Sequence, residues 1–570
     1  MVTEMKTTSF KAVTEEEWRE VASQSLRGLP FEKLVTKTLE GIDIQPLYTK
    51  EKFALENELH DTMLQTIRGG IESPDWTIAQ QSYETNSKRF LAEVKESLNK
   101  GNEAIVYNGK RPVIWKENDL KELSKLVQVY PLYAFDVDEQ DEFTKLFSFI
   151  DGKNRKNVKG IFTGSAILPE GYHLLRRISA NTIPYHERGA DNITELALTL
   201  AIAAEETQNF NSFTQFFNQF SVRFAIDTHF FMEIAKLRAF RVLWQTFAQA
   251  YGNEKPNRVP IVSEASLRTY SKLDPYVNLL RAGNEAFSAV LGGTDVLTIH
   301  PHNVLTNISP TSVRNARNIQ LVIKEETFVQ YVLDPSGGSY FIDTLTNEMI
   351  EKAWAYFQEI ERLGGLSAYV SSGALDEKLD QLYHKRMKLV SHRKKSLIGT
   401  NNYADVTETV PEDVGPIEVE RRLAEPYEHL RINFANSQPK TVLLTFGQLK
   451  DFKARADFVT GFLATAGIKT EMSPAFNNVE EAITWIETNE FDYGIICIPP
   501  KETEAVMKEL IHELPQGKWI DVAGKYDEEL EKEWKRASIS GFIFQGQDQL
   551  EKLEELQQRW DRRLNKHEEA

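Results

Sequence analysis

The stretch FFMEIAKLRAFRVLWQTFAQAYG, Phe230 to Gly252, decides the fold of this chain. Its apolar residues recur at helical spacing in two adjacent rows, which form a stripe typical of a helix that packs against a sheet. The rows are Phe230, Ile234, Leu237, Trp244 and Phe240, Leu243, Phe247, Tyr251. Between them lie the polar residues Glu233, Lys236, Arg238, Arg241 and Gln245. The strand-like run Ser221 to Asp227 comes just before, so the two elements predict half of a βαβ unit.

Composition bounds the class of protein. At 570 residues the chain is too long for one ordinary domain, and 41% hydrophobic with 26% charged residues is typical of a soluble globular protein. We find no apolar run long enough for a membrane span and no apolar core of a signal peptide. The single cysteine, Cys497, excludes a disulfide framework and fits a cytoplasmic protein. The net charge of −17 argues against a general nucleic-acid binder.

Residues 1–50 are predicted to be an N-terminal arm. Thr14 and Glu17 form a capping-box pattern at the start of a short helix. The segment is too short to bury a core of its own. We therefore interpret it as an arm that lies on another surface, in preference to an independent module.

Residues 51–390 alternate between strand-like and helical runs. The predicted strands are Ala104–Tyr107, Gly160–Gly164, Val222–Ile226, Pro260–Ser263, Asp295–Ile299 and Val329–Leu333. This alternation predicts an α/β fold with a parallel sheet, and its length suits a (β/α)8 TIM-type barrel. A doubly wound open sheet is the competing interpretation. In a barrel, polar residues at the carboxyl ends of the strands line the ligand-binding mouth.

The remaining chain divides into a linker and a second α/β unit. Residues 391–438 are predicted to be an interdomain linker with a short helix, Glu418–Glu425, stopped by Pro426. Residues 439–570 contain five βα units, which predict a flavodoxin-like sheet. Its strands are expected at Thr441–Phe446, Ile468–Met472, Tyr493–Ile498, Trp519–Val522 and Gly541–Phe544. Such a sheet binds ligands outside the carboxyl ends of its strands, so the loop after Phe446 is the position of interest.

A barrel followed by a flavodoxin-like domain resembles the methylmalonyl-CoA mutase family of adenosylcobalamin enzymes. The motifs that carry the resemblance are Phe230–Trp244, Arg314–Gln320, Asp334–Tyr340, Phe357–Gly365, Pro74–Ile78 and Thr38–Ile42. The resemblance implies a radical isomerisation of methylmalonyl-CoA to succinyl-CoA, in which the cofactor does the difficult chemistry. It also implies that the barrel bore holds the CoA arm and that the flavodoxin-like domain binds the cobalamin.

The cobalamin loop departs from the family pattern Asp-x-His-x-x-Gly. Leu449 stands where the family has Asp, Asp451 where it has the cobalt-binding His, and Ala454 where it has Gly. Further on, Ile496 replaces a small Ser and Ala523 replaces the first Gly of a Gly-Gly pair. The resemblance therefore implies that these positions are degenerate and that this chain binds no cobalamin.

The barrel departs from the family pattern in the same direction. Catalytic members carry Tyr-His before Ile-Gln-Glu-x-Gly-Ala, and alignment on Glu187 and Gly189 puts Ile183 and Pro184 at those two positions. Tyr185 and His186 are adjacent, and a shifted loop would restore the pair. Ser263–Leu267 lacks the family's Gln, and Ala79 stands where an arginine suited to a CoA phosphate is found. No catalytic residue is expected in this chain.

Two other features have a competing interpretation. His300 and His302 are spaced to lie on one face of a strand, as metal ligands would be, but no third ligand is identifiable and Pro301 lies between them. A bend at the barrel mouth is the preferred interpretation, with no metal site. Cys497 lies in an apolar strand and is interpreted as a small core residue.

Together the losses match the small, non-catalytic subunit of heterodimeric bacterial members of the family. The resemblance then implies a large catalytic subunit as partner, which would carry the adenosylcobalamin and bind the CoA ester. The arm would wrap that partner. Two alternatives stay open: an active stand-alone mutase acting on a related CoA ester, and an assembly or binding protein without catalysis.

Overall fold

The computed structural model describes residues 13–50, 57–71, 73–254 and 258–568, and the predictions for residues 1–12 and 51–56 lie outside that range. The chain is an α/β protein whose larger sheets are parallel, as predicted. The strands are β1 Thr36–Lys37, β2 Asp43–Ile44, β3 Thr77–Ile78, β4 Ile105–Asn108, β5 Leu132–Phe135, β6 Lys159–Phe162, β7 Leu174–Arg176, β8 Ile178–Asn181, β9 Phe220–Ile226, β10 Ile261–Ala265, β11 Val296–Thr298, β12 Thr441–Thr445, β13 Thr470–Met472, β14 Tyr493–Cys497, β15 Trp519–Ala523 and β16 Gly541–Ile543.

The helices lie between these strands and cover the sheets. They are α1 Glu15–Ser25, α2 Asn57–Arg68, α3 Ser87–Leu98, α4 Glu117–Leu126, α5 Ile183–Glu187, α6 Asn192–Thr207, α7 Phe213–Gln219, α8 Phe230–Ala250, α9 Val277–Leu291, α10 Pro310–Glu326, α11 Tyr340–Arg362, α12 Gly365–Ser371, α13 Ala374–Ser391, α14 Glu425–Asn436, α15 Leu449–Ala464, α16 Val479–Thr488, α17 Thr503–Glu513, α18 Glu528–Arg536 and α19 Gln549–Glu568. Within the described part of the chain, none of them combines the length and apolar character needed to cross a membrane.

Two parallel sheets form the first unit, in the orders β3-β11-β10-β9-β8 and β4-β5-β6-β7. On one side they meet where Arg177 alone separates β7 from β8. On the other side an isolated bridge pairs Gln81 with Val106, and the Glu103 amide donates to the Ile78 carbonyl oxygen at 2.9 Å. The two sheets are therefore adjacent along both edges.

Most predicted strands of this unit are confirmed, and one is wrong. Val329–Leu333 contains a 3₁₀ helix, Val329–Tyr331, and the side chains of Tyr331 and Val332 are exposed. The run has the β-branched and aromatic residues of a strand but pairs with no neighbouring strand among the described residues. The strands β3, β5, β7 and β8 were not predicted from the sequence.

Helix α8 is confirmed, but it is buried on nearly every side. Its charged residues do not lie toward solvent, because Glu233, Lys236 and Arg238 are all at most 1% exposed. The Lys236 ammonium is 2.6 Å from Glu233 Oε2 and donates to the Ala225 carbonyl oxygen at 2.7 Å. Buried charges are costly unless they are paired, and these pairs allow a charged helix to occupy the core.

The segment between the two units is packed rather than free. The predicted helix Glu418–Glu425 is wrong, because Pro426 lies in the first turn of α14 and begins a helix instead of stopping one. Proline is tolerated there since the first helical amides have no intrahelical acceptor. Val390, Leu397 and Tyr427 share one apolar cluster with Trp519 of the second unit.

The second unit is a parallel sheet in the order β13-β12-β14-β15-β16. Its predicted strands are confirmed to within a few residues. One apolar cluster includes Leu443, Phe462 and Trp560, and a second includes Leu444, Met507 and Trp534. Since alternate residues of a strand point to opposite faces, the two clusters cover the two faces of the sheet.

The described part of the arm has few packing contacts of its own. Thr14 and Glu17 form the predicted capping box at the start of α1. That helix has no buried residue, and the apolar side chains of Val21 and Leu29 are 66% and 57% exposed. Further along, the antiparallel pair β1-β2 lies on the first unit, where Ile42 is fully buried.

Candidate functional site

The crevice at the carboxyl ends of the second sheet begins after β12. Helix α15 starts at Leu449, so Leu449, Asp451 and Ala454 belong to its first two turns instead of a loop that reaches over the sheet. The Leu449 side chain is 59% exposed, and those of Asp451 and Ala454 are also exposed. None of the three offers an imidazole, and the described histidines of this unit, His512 and His567, lie on α17 and α19.

Two side chains from this unit occupy the crevice. Arg455 Nη1 donates to the Ile498 carbonyl oxygen at 2.8 Å, to Thr503 Oγ1 at 2.9 Å and to the Tyr526 hydroxyl at 3.2 Å. The Tyr526 hydroxyl in turn donates to the Ala523 carbonyl oxygen at 2.9 Å. These bonds cross the ends of β14 and β15, where an α/β sheet binds its ligands.

The two degenerate strand positions are buried. Ile496 is fully buried in the layer that contains Met507, and Ala523 is 2% exposed on the opposite face of the sheet. Next to them Cys497 is fully buried as expected for a core residue, and burial raises the pKa of its thiol to about 12. A neutral, inaccessible thiol is chemically inert.

At the mouth of the first unit, Ile183 and Pro184 begin the short helix α5, and His186 ends inside the core. His186 Nδ1 is 2.7 Å from Glu195 Oε1, and His186 Nε2 is 2.7 Å from the Ser266 hydroxyl. The order serine, histidine, carboxylate has the connectivity of a hydrolase triad. All three side chains are at most 2% exposed, so no substrate reaches the serine.

The surroundings of His186 favour the neutral form of its imidazole. Burial and the nearby Arg268 guanidinium lower the pKa of His186 to about 4. Glu195 stays ionised despite its burial, since Lys236 and His186 lower the pKa of its carboxyl. A neutral imidazole held between Ser266 and Glu195 stabilises the packing of α5 against α6 and has no accessible reactant.

A second polar chain crosses the space between the two sheets of the first unit. Arg223 Nη2 donates to Glu264 Oε2 at 2.6 Å, and Glu264 Oε1 is 2.8 Å from His300 Nε2. His300 Nδ1 is 2.7 Å from the Tyr83 hydroxyl. The Arg223 guanidinium also lies 4.1 Å from the ring centroid of Phe135, which is on β5 of the other sheet.

This geometry separates the two histidines that the metal interpretation pairs. His300 is bonded to Glu264 and Tyr83, whereas the His302 ring stacks on Tyr276 with centroids 5.0 Å apart. The described residues contain no group of three or more ligating side chains arranged for a metal ion.

The hydrogen-bonding partners in these clusters were not predicted from the sequence. Glu195, Arg223, Arg455 and Tyr526 carry no motif, and their contacts join positions far apart in the chain. Only the polar residues at the end of β10, Glu264 and Ser266, gave a signal, because they stand where a barrel strand ends.

Comparison with known proteins gives the family. A family model described as methylmalonyl-CoA mutase matches residues 168–482. The methylmalonyl-CoA mutase small subunit of Porphyromonas gingivalis is 27% identical over 549 residues, covering 86% of this chain and 88% of that protein. The small subunit of Propionibacterium freudenreichii subsp. shermanii is 27% identical, covering 81% of each chain. A probable small subunit of Mycobacterium tuberculosis is 33% identical over 311 residues, 52% of this chain and 50% of that protein.

The fold is that of an α/β protein with parallel sheets. At the strand ends of its second sheet, the chain's own side chains lie in the candidate ligand site. The chain belongs to the methylmalonyl-CoA mutase family, a family of isomerases.

Proposed function

We propose that this chain is the non-catalytic small subunit of a heterodimeric methylmalonyl-CoA mutase and that it supports a large catalytic subunit in the cytoplasm. The partner would carry adenosylcobalamin, bind the CoA ester and isomerise methylmalonyl-CoA to succinyl-CoA. The observation that carries the proposal is the crevice of the second sheet, which Arg455 and Tyr526 fill. The relatives' small-subunit names support the partner.

The residues in that crevice do not fit a cobalamin. Asp451 stands at the position of the cobalt ligand and is a helical carboxylate, not an imidazole. Ile496 is packed in the core, so a cofactor tail inserted there would displace it. A Cβ on Gly524 would lie 2.5 Å from the Tyr526 hydroxyl, which shows how closely that side chain covers the strand ends.

We propose that the chain is a barrel followed by a flavodoxin-like domain, with the crevice at the strand ends of the second domain. The two sheets of the first unit share both edges, which supports a closed (β/α)8 barrel over residues 51–390. When the strands of the second sheet are numbered by their position in the chain, their order across the sheet is 2-1-3-4-5. This is the order of flavodoxin-like folds and supports such a domain over residues 439–570. Residues 391–438 would then be the interdomain linker.

The interior of the proposed barrel supports a non-catalytic role. Tyr133 and Phe135 of β5 share a buried cluster with Val262 and Val296 of the opposite sheet. Arg223 and Glu264, on the neighbouring strands β9 and β10, add an ion pair that faces the same space. A CoA ester threading this bore would have to displace aromatic rings and a buried pair of charges. Ile183 and Pro184, at the Tyr-His positions, offer no hydrogen-bonding side chain.

The arm is the proposed contact with the partner. Helix α1 has no buried residue, and the apolar side chains of Val21 on this helix and of Leu29 just after it are exposed. Covering such side chains with a second protein surface is favourable, because it removes apolar area from water. Substitution of Val21 by Asp should therefore weaken association with the large subunit in size-exclusion chromatography. Ser23→Asp adds the same charge on the opposite face of the helix and is the control.

The decisive experiment titrates the purified chain with adenosylcobalamin, follows the absorbance spectrum, and repeats the titration with a large subunit present. We expect no binding to the chain alone and one equivalent per heterodimer. Binding and turnover of methylmalonyl-CoA by the chain alone would instead establish an active stand-alone mutase. Failure to associate with any large subunit would favour an assembly protein without catalysis.

A further inference from the structure

A cavity of about 640 Å³ lies where the arm, the first turn of α8 and the end of α13 meet. Thr38, Leu39 and Glu40 of the arm form one wall. Phe230 and Phe231 begin α8 on the second wall, and the third wall comes from the chain around Leu389 and Lys395. The volume lies within the range of small-molecule sites.

Positive charge exceeds negative charge in this cavity. Its cations are Lys37, Arg268, Arg386, Lys394 and Lys395, and its carboxylates are Glu40, Asp227 and Glu233. Asp227 is paired with Arg268, and Glu233 is paired with Lys236, which does not line the cavity. Four cations, Lys37, Arg386, Lys394 and Lys395, therefore remain against one carboxylate, Glu40.

Lys395 is the clearest sign of a missing partner. Among the described residues its ammonium has no hydrogen bond and no ion pair, although the side chain is partly buried. The turn that carries it is fixed, because the amides of Lys394 and Lys395 both donate to the Leu389 carbonyl oxygen, at 2.8 and 2.9 Å. Burial lowers the pKa of Lys395, and the Arg386 and Arg268 guanidinium groups act in the same direction, although the Asp227 and Glu40 carboxylates partly oppose the shift.

Arg386 is available on the same side. Its Nε and Nη2 donate to the carbonyl oxygens of Gly189 and Ala190, at 3.3 and 3.0 Å. Its Nη1 is 4.0 Å from Asp227, too far for a hydrogen bond. The N-terminus of α8 also opens here, and its cap residue His229 provides no side-chain acceptor for the first amides. Free helical amides favour an anion.

We propose that this cavity binds a small aliphatic carboxylate, with its oxyanion at Lys395 and Arg386 and its hydrocarbon chain against Leu39, Phe231 and Leu389. The oxyanion matches the excess positive charge. The exposed surface of the cavity is mainly apolar, which favours a carboxylate with a hydrocarbon chain over a bare inorganic anion. The ligand would touch the arm, the first unit and the segment leading to the second unit.

The test uses the full-length chain and ¹⁹F NMR of 4,4,4-trifluorobutyrate. We expect saturable broadening of the fluorine signal, reversed by butyrate and hexanoate and unaffected by butylamine. Lys395→Met keeps the length of the side chain but removes the charge, and should weaken binding by about tenfold or more. Lys501→Met, at an exposed loop position of the second unit, should bind as the wild type does.

Each other outcome overturns the proposal. Absence of saturable binding shows that the cavity has no carboxylate ligand. Equal binding by Lys395→Met places the carboxylate elsewhere. Displacement by inorganic phosphate as effective as by hexanoate indicates an adventitious ion only. A Phe231→Ser variant separates the two parts of the site, since it should reduce the affinity for hexanoate more than the affinity for acetate. The proposal does not depend on whether the chain is catalytic.

Discussion

Acidification should destabilise this protein through His186, and the effect can be worked out from its surroundings. The imidazole is buried between Glu195 and Ser266, and its pKa falls from 6.5 to about 4 on folding. The unfolded chain therefore binds a proton between these values that the folded chain does not. Stability rises with pH across this window and is lost as the pH falls.

The magnitude follows from the shift. A difference of 2.5 pKa units corresponds to about 3 kcal/mol when the pH is below both values. At pH 5 the linkage relation gives a loss of about 2 kcal/mol, and at pH 7.5 the loss is close to zero. The penalty is absent above pH 6.5, where the histidine is neutral in both states.

A His186→Gln variant isolates this effect because glutamine does not titrate. The variant should be less stable than the wild type at pH 7.5, since it loses the fitted ring. The gap in the free energy of unfolding should then narrow by about 2 kcal/mol at pH 5. Urea unfolding followed by tryptophan fluorescence measures the gap, and His512→Gln, at an exposed position, controls for the loss of an imidazole.

A direct measurement is also possible. The chain has 11 histidines, so selective ¹³C labelling of the ring carbons gives a simple spectrum in which the variant identifies the His186 signal. The His186 signal should stay in the neutral form down to about pH 5. A midpoint near 6.5, or a stability gap that does not change with pH, would refute the reasoning.

Three further substitutions test other parts of the structure. Tyr526→Phe removes the hydroxyl that donates to the Ala523 carbonyl oxygen and should cost about 1 kcal/mol, measured as a lower thermal midpoint of the second unit. Glu264→Gln leaves the buried Arg223 without its counter-ion and should cost roughly 3 kcal/mol in urea unfolding. Thr14→Ala removes the cap of α1 and should destabilise that helix by about 1 kcal/mol, measured as faster amide hydrogen exchange over Glu15–Ser25.

Each of these has a clear contrary result. An unchanged thermal midpoint for Tyr526→Phe would mean that the hydroxyl is as well satisfied by water as by the strand end. Wild-type stability of Glu264→Gln would place Arg223 in contact with solvent. Unchanged exchange in Thr14→Ala would show that the capping box is not formed in solution. Glu504→Gln, at an exposed site, is the control for the loss of a carboxylate.

Local patterns predicted the elements that satisfy local rules. Helix α8 follows from apolar spacing, and the strands of the second sheet follow from short apolar runs between turns. The run Val329–Leu333 fails because β-branched composition does not provide a partner strand. Pro426 was predicted to stop a helix, but it lies in the first turn of α14. Proline is compatible with both positions, so the residue alone does not say at which end of a helix it stands.

The sequence predicted the site only as a set of positions that depart from the family pattern. Resemblance to a family identifies positions such as Leu449 and Ile183, but it does not identify the side chains that lie in the candidate sites. Arg455 and Tyr526 are 71 positions apart, and Arg223 and Glu264 are 41 apart. Contacts over such distances depend on the assembled sheets, and a single sequence holds no local signal for them.

The packed segment between the two units has a consequence for how this chain can evolve. Val390 and Tyr427 share a core with Trp519, Ser391 donates to Asp548 at 2.7 Å, and the Arg393 guanidinium lies 4.6 Å from the ring centroid of Phe458. A recombination that exchanged only the last sheet would leave these side chains without partners. An exchange that preserves these contacts has to move residues 390–434 together with the C-terminal unit, with its border near the end of α13 rather than at the first strand of the sheet.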